Sequence, residues 1–192
     1  VHDLNHDGRL FQDRRIFEKR YPRINSYLRE WNAAGFRSGA THRNLDWIYN
    51  LQIEYDASCF ENDPFEPQPG DANSIFPFPV ADEAHPHGYI ELPYTLPQDF
   101  TVFVILAEKS LSIWQKKLDW IAEKGGMALF ISHPDYMAFD GKGTFEQYPV
   151  TYYTDFLRYV KERYTNEYWN ALPREAARFW RQSVVPSSAE PE

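Results

Sequence analysis

The chain opens on His2-Asp-Leu-Asn-His6, two imidazoles four residues apart. On a helical turn that spacing puts both rings on one side, where they can reach a single divalent metal. The same stretch admits a second reading. Asp3-Leu-Asn-His-Asp-Gly8 matches the start of a calcium loop, with oxygen ligands at positions one, three and five, glycine at six and the apolar Leu10 at eight. Position twelve, where a bidentate carboxylate should close such a loop, is Arg14, and no incoming helix precedes it. A cation at the closing position repels calcium, so the histidine reading ranks first. A third candidate is His133, which ends the apolar run Met127-Ala-Leu-Phe-Ile-Ser132. Strand C-termini are where α/β folds build their sites. The competing reading of His133 is an imidazole satisfied by a nearby carbonyl in a turn stiffened by Pro134.

The elements that must position these residues follow from periodicity. A helix is predicted from about Phe11 to Trp31, with Phe17, Ile24, Leu28 and Trp31 near one face and Pro22 kinking or splitting it. Gly35-Phe-Arg-Ser38 reads as a short strand or turn, His42–Leu51 as a helix, and Ile53–Ser58 as a strand. Residues 61–99 are so dense in proline that regular structure throughout is excluded, and their aromatics mark a structured functional loop. The continuous apolar run Thr101-Val-Phe-Val-Ile-Leu106 predicts a strand buried on both faces. Ser110 should cap a helix over 111–124 that Gly125-Gly126 stops, and Met127–Ser132 should be the next strand. Helices are expected at about 152–164, capped by Thr151, and at about 166–180, before a disordered tail at 186–192. Strand and helix in this alternation mean βα units around parallel strands. Strands 101–106 and 127–132 should then be parallel neighbours joined by a right-handed crossover.

Composition bounds the rest. The 192 residues fit one domain, 1–185, and 43% hydrophobic with 25% charged residues excludes a disordered chain. A net charge of −8 argues against nucleic-acid binding, and the longest apolar stretch is far short of the ~20 residues of a membrane span. Nothing at the polar, acidic N-terminus reads as a signal peptide. One cysteine, Cys59, rules out an intrachain disulfide. Aromatic residues reach 17%, which suits sugar rings but in a domain of this size mostly fills the core.

Taken in order, these residues resemble the polysaccharide deacetylase superfamily, also called NodB-homology or chitooligosaccharide-deacetylase-like. His2-x-x-x-His6 looks like the family's two-histidine metal motif and Gly35-Phe-Arg-Ser38 like its arginine motif. Tyr55-Asp-Ala-Ser58 looks like its fourth motif, and Phe130-Ile-Ser-His133 like its closing histidine. Segments 88–99 and 125–136 further resemble a bacterial branch of that superfamily.

The resemblance implies a distorted (β/α) barrel, partial here, that removes acetyl groups from N-acetylated carbohydrate with a divalent metal, usually zinc. By position His2 and His6 would ligate the metal, and His133 would protonate the departing amine. Arg37 would orient the base, and Asp56 would hold or tune His133. The family's paired-aspartate motif, which supplies base and third ligand before the two histidines, has no counterpart, since no Asp-Asp occurs. Arg37 is followed by Ser-Gly-Ala where the family has a small residue, proline and an aromatic. The expectation is therefore an N-terminally truncated domain with an incomplete site, Asp135 being the carboxylate to test as a substitute base. A non-catalytic glycan-binding relative of the same fold and a calcium-loop interaction module are the alternatives.

Overall fold

The computed structural model describes residues 1–63, 65, 68, 70, 72–141 and 143–184. Helix α1 (Arg14–Glu30) starts where the Asp13 carboxylate accepts from the Arg15 N–H. It buries Phe17, Ile24 and Leu28 on one stripe, while Trp31, just past its end, is 59% exposed and stacks on Tyr27. Pro22 lies inside this helix without splitting it. Buried Asn25 fastens α1 to the next segment, donating to the Asn50 carbonyl and accepting from the Gln52 N–H.

Strand β1 (Gly35–Phe36), helix α2 (Leu45–Ile48), strand β2 (Tyr55–Asp56), strand β3 (Phe78–Val80) and strand β4 (Tyr89–Glu91) follow. They form one sheet in the order β1-β2-β4-β3, parallel across β1-β2-β4 and antiparallel at β3. Val1 extends it beyond β1: its amino group donates to the Gly35 carbonyl and its carbonyl accepts from the Arg37 N–H, a parallel pattern. The chain is thus α/β with parallel strands, and among the described residues the sheet stays open rather than closing into a barrel.

The expected strand at 101–106 is absent. Phe100–Ile105 is a π-helix instead, with Leu106 N–H reaching the Thr101 carbonyl and Glu108 N–H the Val102 carbonyl. A short apolar run is equally consistent with a buried helical segment, and here tertiary contacts decide. Phe103 packs against Trp114, Tyr148 and Tyr152, whereas Ile105 and Leu106 are exposed. Residues 127–132 are extended but form no regular strand. Their partner is 95–99, not 101–106: Thr95 and Leu96 N–H bond the Leu129 carbonyl, and Asp99 N–H the Ile131 carbonyl. The register climbs together on both sides, so the two segments run in the same direction.

Helix α3 (Ser112–Lys124) ends as predicted, with Gly125 in the left-handed region and Gly126 N–H bonding the Ile121 carbonyl. Its buried Trp114, Leu118 and Ile121 meet helix α4 (Val150–Arg163) through Phe156. Strands β5 (Met137–Ala138) and β6 (Tyr148–Pro149) make a second small parallel pair. The last helix, α5 (Pro173–Val184), begins later than predicted and lays Ala177 and Trp180 against the β2–β4 region. Thr151 lies within α4 rather than capping it. The predicted tail at 186–192 falls outside the described residues. Aromatic side chains fill the core around Trp114, as their number led one to expect. No described helix is long and apolar enough to cross a membrane.

Candidate functional site

The Val1 segment and the parallel strands β1 and β2 deliver their C-terminal ends to one rim, and each predicted residue but His6 follows or ends an extended segment. Val1 leads into His2, β1 into Arg37, β2 ends at Asp56, and segment 127–132 leads into His133. Tyr94 bridges the row. Arg37 Nη1 donates to its hydroxyl at 3.3 Å, and its ring packs in one cluster with Phe60 and Ile131, two residues before His133.

His2 and His6 converge, with ring centroids 4.7 Å apart and planes inclined by 55°. They do so through a turn and not the helix expected, because Asp3 and His6 both take left-handed backbone conformations, at φ 54° and 49°. His2 Nδ1 lies 2.8 Å from the Arg37 carbonyl, so Nδ1–H donates there and Nε2 keeps its lone pair. Burial, with help from the nearby Arg37 and His6 charges, lowers the His2 pKa below the ordinary imidazole value. It is therefore neutral at neutral pH, the form that ligates metal.

The calcium-loop reading does not survive. Arg20, from α1, holds the Asp7 carboxylate with two contacts of 2.7 Å and approaches Asp3 at 3.5 Å. A guanidinium already engages two of the acids a calcium ion would need, and Arg14 turns away to Glu18 and the face of Trp47.

His133 is held by a carboxylate, but not that of Asp56. Asp99 is fully buried and accepts from His133 Nδ1 at 2.7 Å, His133 N–H at 2.6 Å, Phe100 N–H at 2.8 Å and the Tyr148 hydroxyl at 2.9 Å. This fixes the imidazole with Nδ1 inward, leaving Nε2 to face outward from a side chain 34% exposed. Burial and the Asp99 charge raise the Tyr148 pKa, so its hydroxyl stays a donor. The reading of His133 as bonded to a neighbouring carbonyl is replaced by this carboxylate pair. Asp135, the substitute base, is exposed.

Asp56 lies beneath the rim, fully buried and in register with Glu91 on β4. Ser58 Oγ donates to Asp56 Oδ1 and accepts from the Ser38 N–H, which ties this pair to the residue after Arg37. Burial first and the Glu91 charge second push the Asp56 carboxyl above the usual carboxylate range. Asp99, Tyr148, Tyr94 and Glu91 are the residues that sequence reasoning missed. Only Asp99 carried a local signal, an N-cap type residue directly before an apolar run.

Among the described residues no three His, Cys, Asp or Glu side chains converge as a metal-ligand group. The two imidazoles suit a divalent metal as half of a ligand set. A cavity of about 290 Å³, lined by Tyr49, Leu51, His85 and Tyr89 among others, opens where the chain enters β2 and β4, away from this rim. Comparison with protein-family models, with curated proteins and with solved structures gave no match for the chain.

Proposed function

We propose that the chain is the strand-end rim of a metal-dependent carbohydrate deacetylase of the polysaccharide deacetylase type, its distorted (β/α) barrel represented here by an open parallel sheet. The observation that carries the reading is the meeting of His2 with His6 beside Arg37, together with a separate histidine, His133, held by Asp99 at the end of segment 127–132. His2 Nε2 and the His6 ring would hold the metal, with further ligands from outside the described residues. A zinc ion bound there would polarise water and the acetamide oxygen.

The chain's own residues supply the rest. In its imidazolium form His133 Nε2–H donates to the amine nitrogen as the C–N bond breaks, and Asp99 keeps that nitrogen aimed outward throughout. Arg37 has no salt bridge among the described residues, which leaves its guanidinium available to orient a carboxylate base. Tyr136, whose ring centroid is 5.3 Å from that of His133, forms an apolar wall for a sugar face.

The absence of a three-ligand group among the described residues favours one other reading, a non-catalytic glycan binder on the same fold. Calorimetry with zinc chloride and hydrolysis of N-acetylchitooligosaccharides separate the two. The deacetylase reading expects zinc binding that His2→Ala or His6→Ala abolishes, and that fades as pH falls and the imidazole ligands take up protons. His133→Ala should leave zinc binding intact and slow turnover by ~10²–10⁴-fold in a catalytically complete protein. Glycan binding without zinc dependence would support the binder instead.

A further inference from the structure

We infer that Asp56 and Glu91 share a single proton, held between Asp56 Oδ2 and Glu91 Oε2 across strands β2 and β4, with Asp56 the protonated partner. The two residues are Cα partners in a parallel ladder, and both are fully buried. Both carboxyl groups lean on the same residue. Ser58 donates its hydroxyl to Asp56 Oδ1 at 3.0 Å and its backbone N–H to Glu91 Oε1 at 3.0 Å, and Cys59 N–H reaches the same Oε1 at 2.8 Å. One oxygen of each carboxyl is thereby satisfied. The other two, Asp56 Oδ2 and Glu91 Oε2, are buried with no hydrogen-bond donor among the described residues.

Two adjacent carboxylates without solvent repel each other, and each would strand a desolvated anionic oxygen. One proton between the two remaining oxygens converts that repulsion into a charge-assisted hydrogen bond and satisfies both atoms. The surroundings leave no competing titration near neutral pH. Burial raises the pKa values of Tyr55, Cys59, Tyr89 and Tyr94, so all four keep their protons. The nearby cations, Arg37 at Tyr94 and Arg43 at Cys59, are guanidinium groups, which do not titrate in proteins. The pair is a proton site, and through Ser58 and the Ser38 N–H it braces the turn that carries Arg37.

The test uses the 192-residue chain as wild type, Asp56→Asn and Glu91→Gln. In the first variant an amide N–H replaces the shared proton. In the second, Ser58 and Cys59 N–H fix the introduced amide's oxygen toward the backbone, so its NH₂ faces Asp56 and the carboxylate needs no proton. Infrared spectra at pH 8 should show a protonated-carboxyl C=O stretch in wild type that both variants lose. An unfolded chain releases both protons above about pH 5, so the folded state carries one more. A raised folded pKa stabilises at low pH, and that contribution fades as pH rises toward it. Above about pH 5 the wild-type folding constant should therefore fall with rising pH relative to either variant, by at most about tenfold per pH unit, until the folded-state proton is lost. The lowered pKa values of His2 and the Val1 amine act alike on all three proteins and cancel in this difference. If one variant fails to fold, the wild-type band and the other variant still decide. No protonated-carboxyl band in wild type, or identical pH slopes in all folded proteins, would overturn the shared proton.

Discussion

Asp99→Asn tests the carboxylate on which the His133 assignment depends. Four donors converge on this buried side chain, two on each oxygen: Phe100 N–H and His133 Nδ1 on Oδ1, His133 N–H and the Tyr148 hydroxyl on Oδ2. Asparagine keeps one accepting oxygen and turns the other into a donor. Whichever way the amide faces, one backbone N–H, that of Phe100 or of His133, confronts an NH₂ and loses its acceptor, while the Tyr148 hydroxyl or a neutral His133 Nδ1 can turn to accept from it. A hydrogen bond to a charged group is worth about 1.5–3 kcal/mol and a neutral one about 1, so one stranded N–H and the weakening of the other bonds give an expected loss of about 2–4 kcal/mol. For a chain of this size that lowers Tm by roughly 10 °C. Tyr148→Phe removes one donor and leaves the carboxylate three, which should cost only about 1–2 kcal/mol. Urea unfolding followed by tryptophan fluorescence measures both. Asp99 also caps the π-helix, so amide exchange at Leu106 and Glu108 should quicken in Asp99→Asn alongside a shift of the His133 ring resonances. If the variant lies within about 0.5 kcal/mol of wild type, or the ring shifts while both amides stay protected, Asp99 does not organise this corner of the fold.

Trp114→Ala should destabilise by about 3–5 kcal/mol in the same melts, because the fully buried indole packs on Phe103, Phe130 and Phe156 and donates to the Pro97 carbonyl. Gly35→Ala places a Cβ 2.0 Å from the Tyr55 ring, so the melts should show clear destabilisation that a second substitution, Tyr55→Leu, largely relieves. Arg20→Gln releases Asp3 and Asp7 and with them the turn holding His6 against His2. If wild type binds zinc, calorimetry should show at least a tenfold weaker affinity in the variant.

What could be read from the sequence was what neighbours along the chain determine. The stripe of Phe17, Ile24 and Leu28, the stripe of Trp114, Leu118 and Ile121, and the left-handed stop at Gly125 each depend on residues within a few turns. All three emerged where periodicity and capping put them. Segment 100–105 went the other way because six apolar residues suit a buried strand and a buried helix equally. Its conformation is set by Phe103 lodging among Trp114, Tyr148 and Tyr152, and by Asp99 capping it from a position whose own partners lie 34 and 49 residues away. Register in the four-stranded sheet was equally hidden, since its named strands are only two or three residues long.

The candidate site divides along the same line. The pairing of His2 with His6 was legible from their spacing, and His133 from its place at the end of an apolar run, whereas Arg37 entered only through the family resemblance. The acids behind them were not legible, since an acid's role there is fixed by what crosses to it from another strand. Asp56 illustrates the difference. The family resemblance made it a partner for His133, yet its register neighbour is Glu91, while Asp99 takes the histidine from a segment one extended stretch further on. The two carboxyl systems therefore differ in kind. Asp99 accepts four donors and can rest as an anion that orients an imidazole. Asp56 has the Ser58 hydroxyl on one oxygen and no donor on the other among the described residues, and it sits in register with a second buried acid, an arrangement that favours holding a proton over directing one.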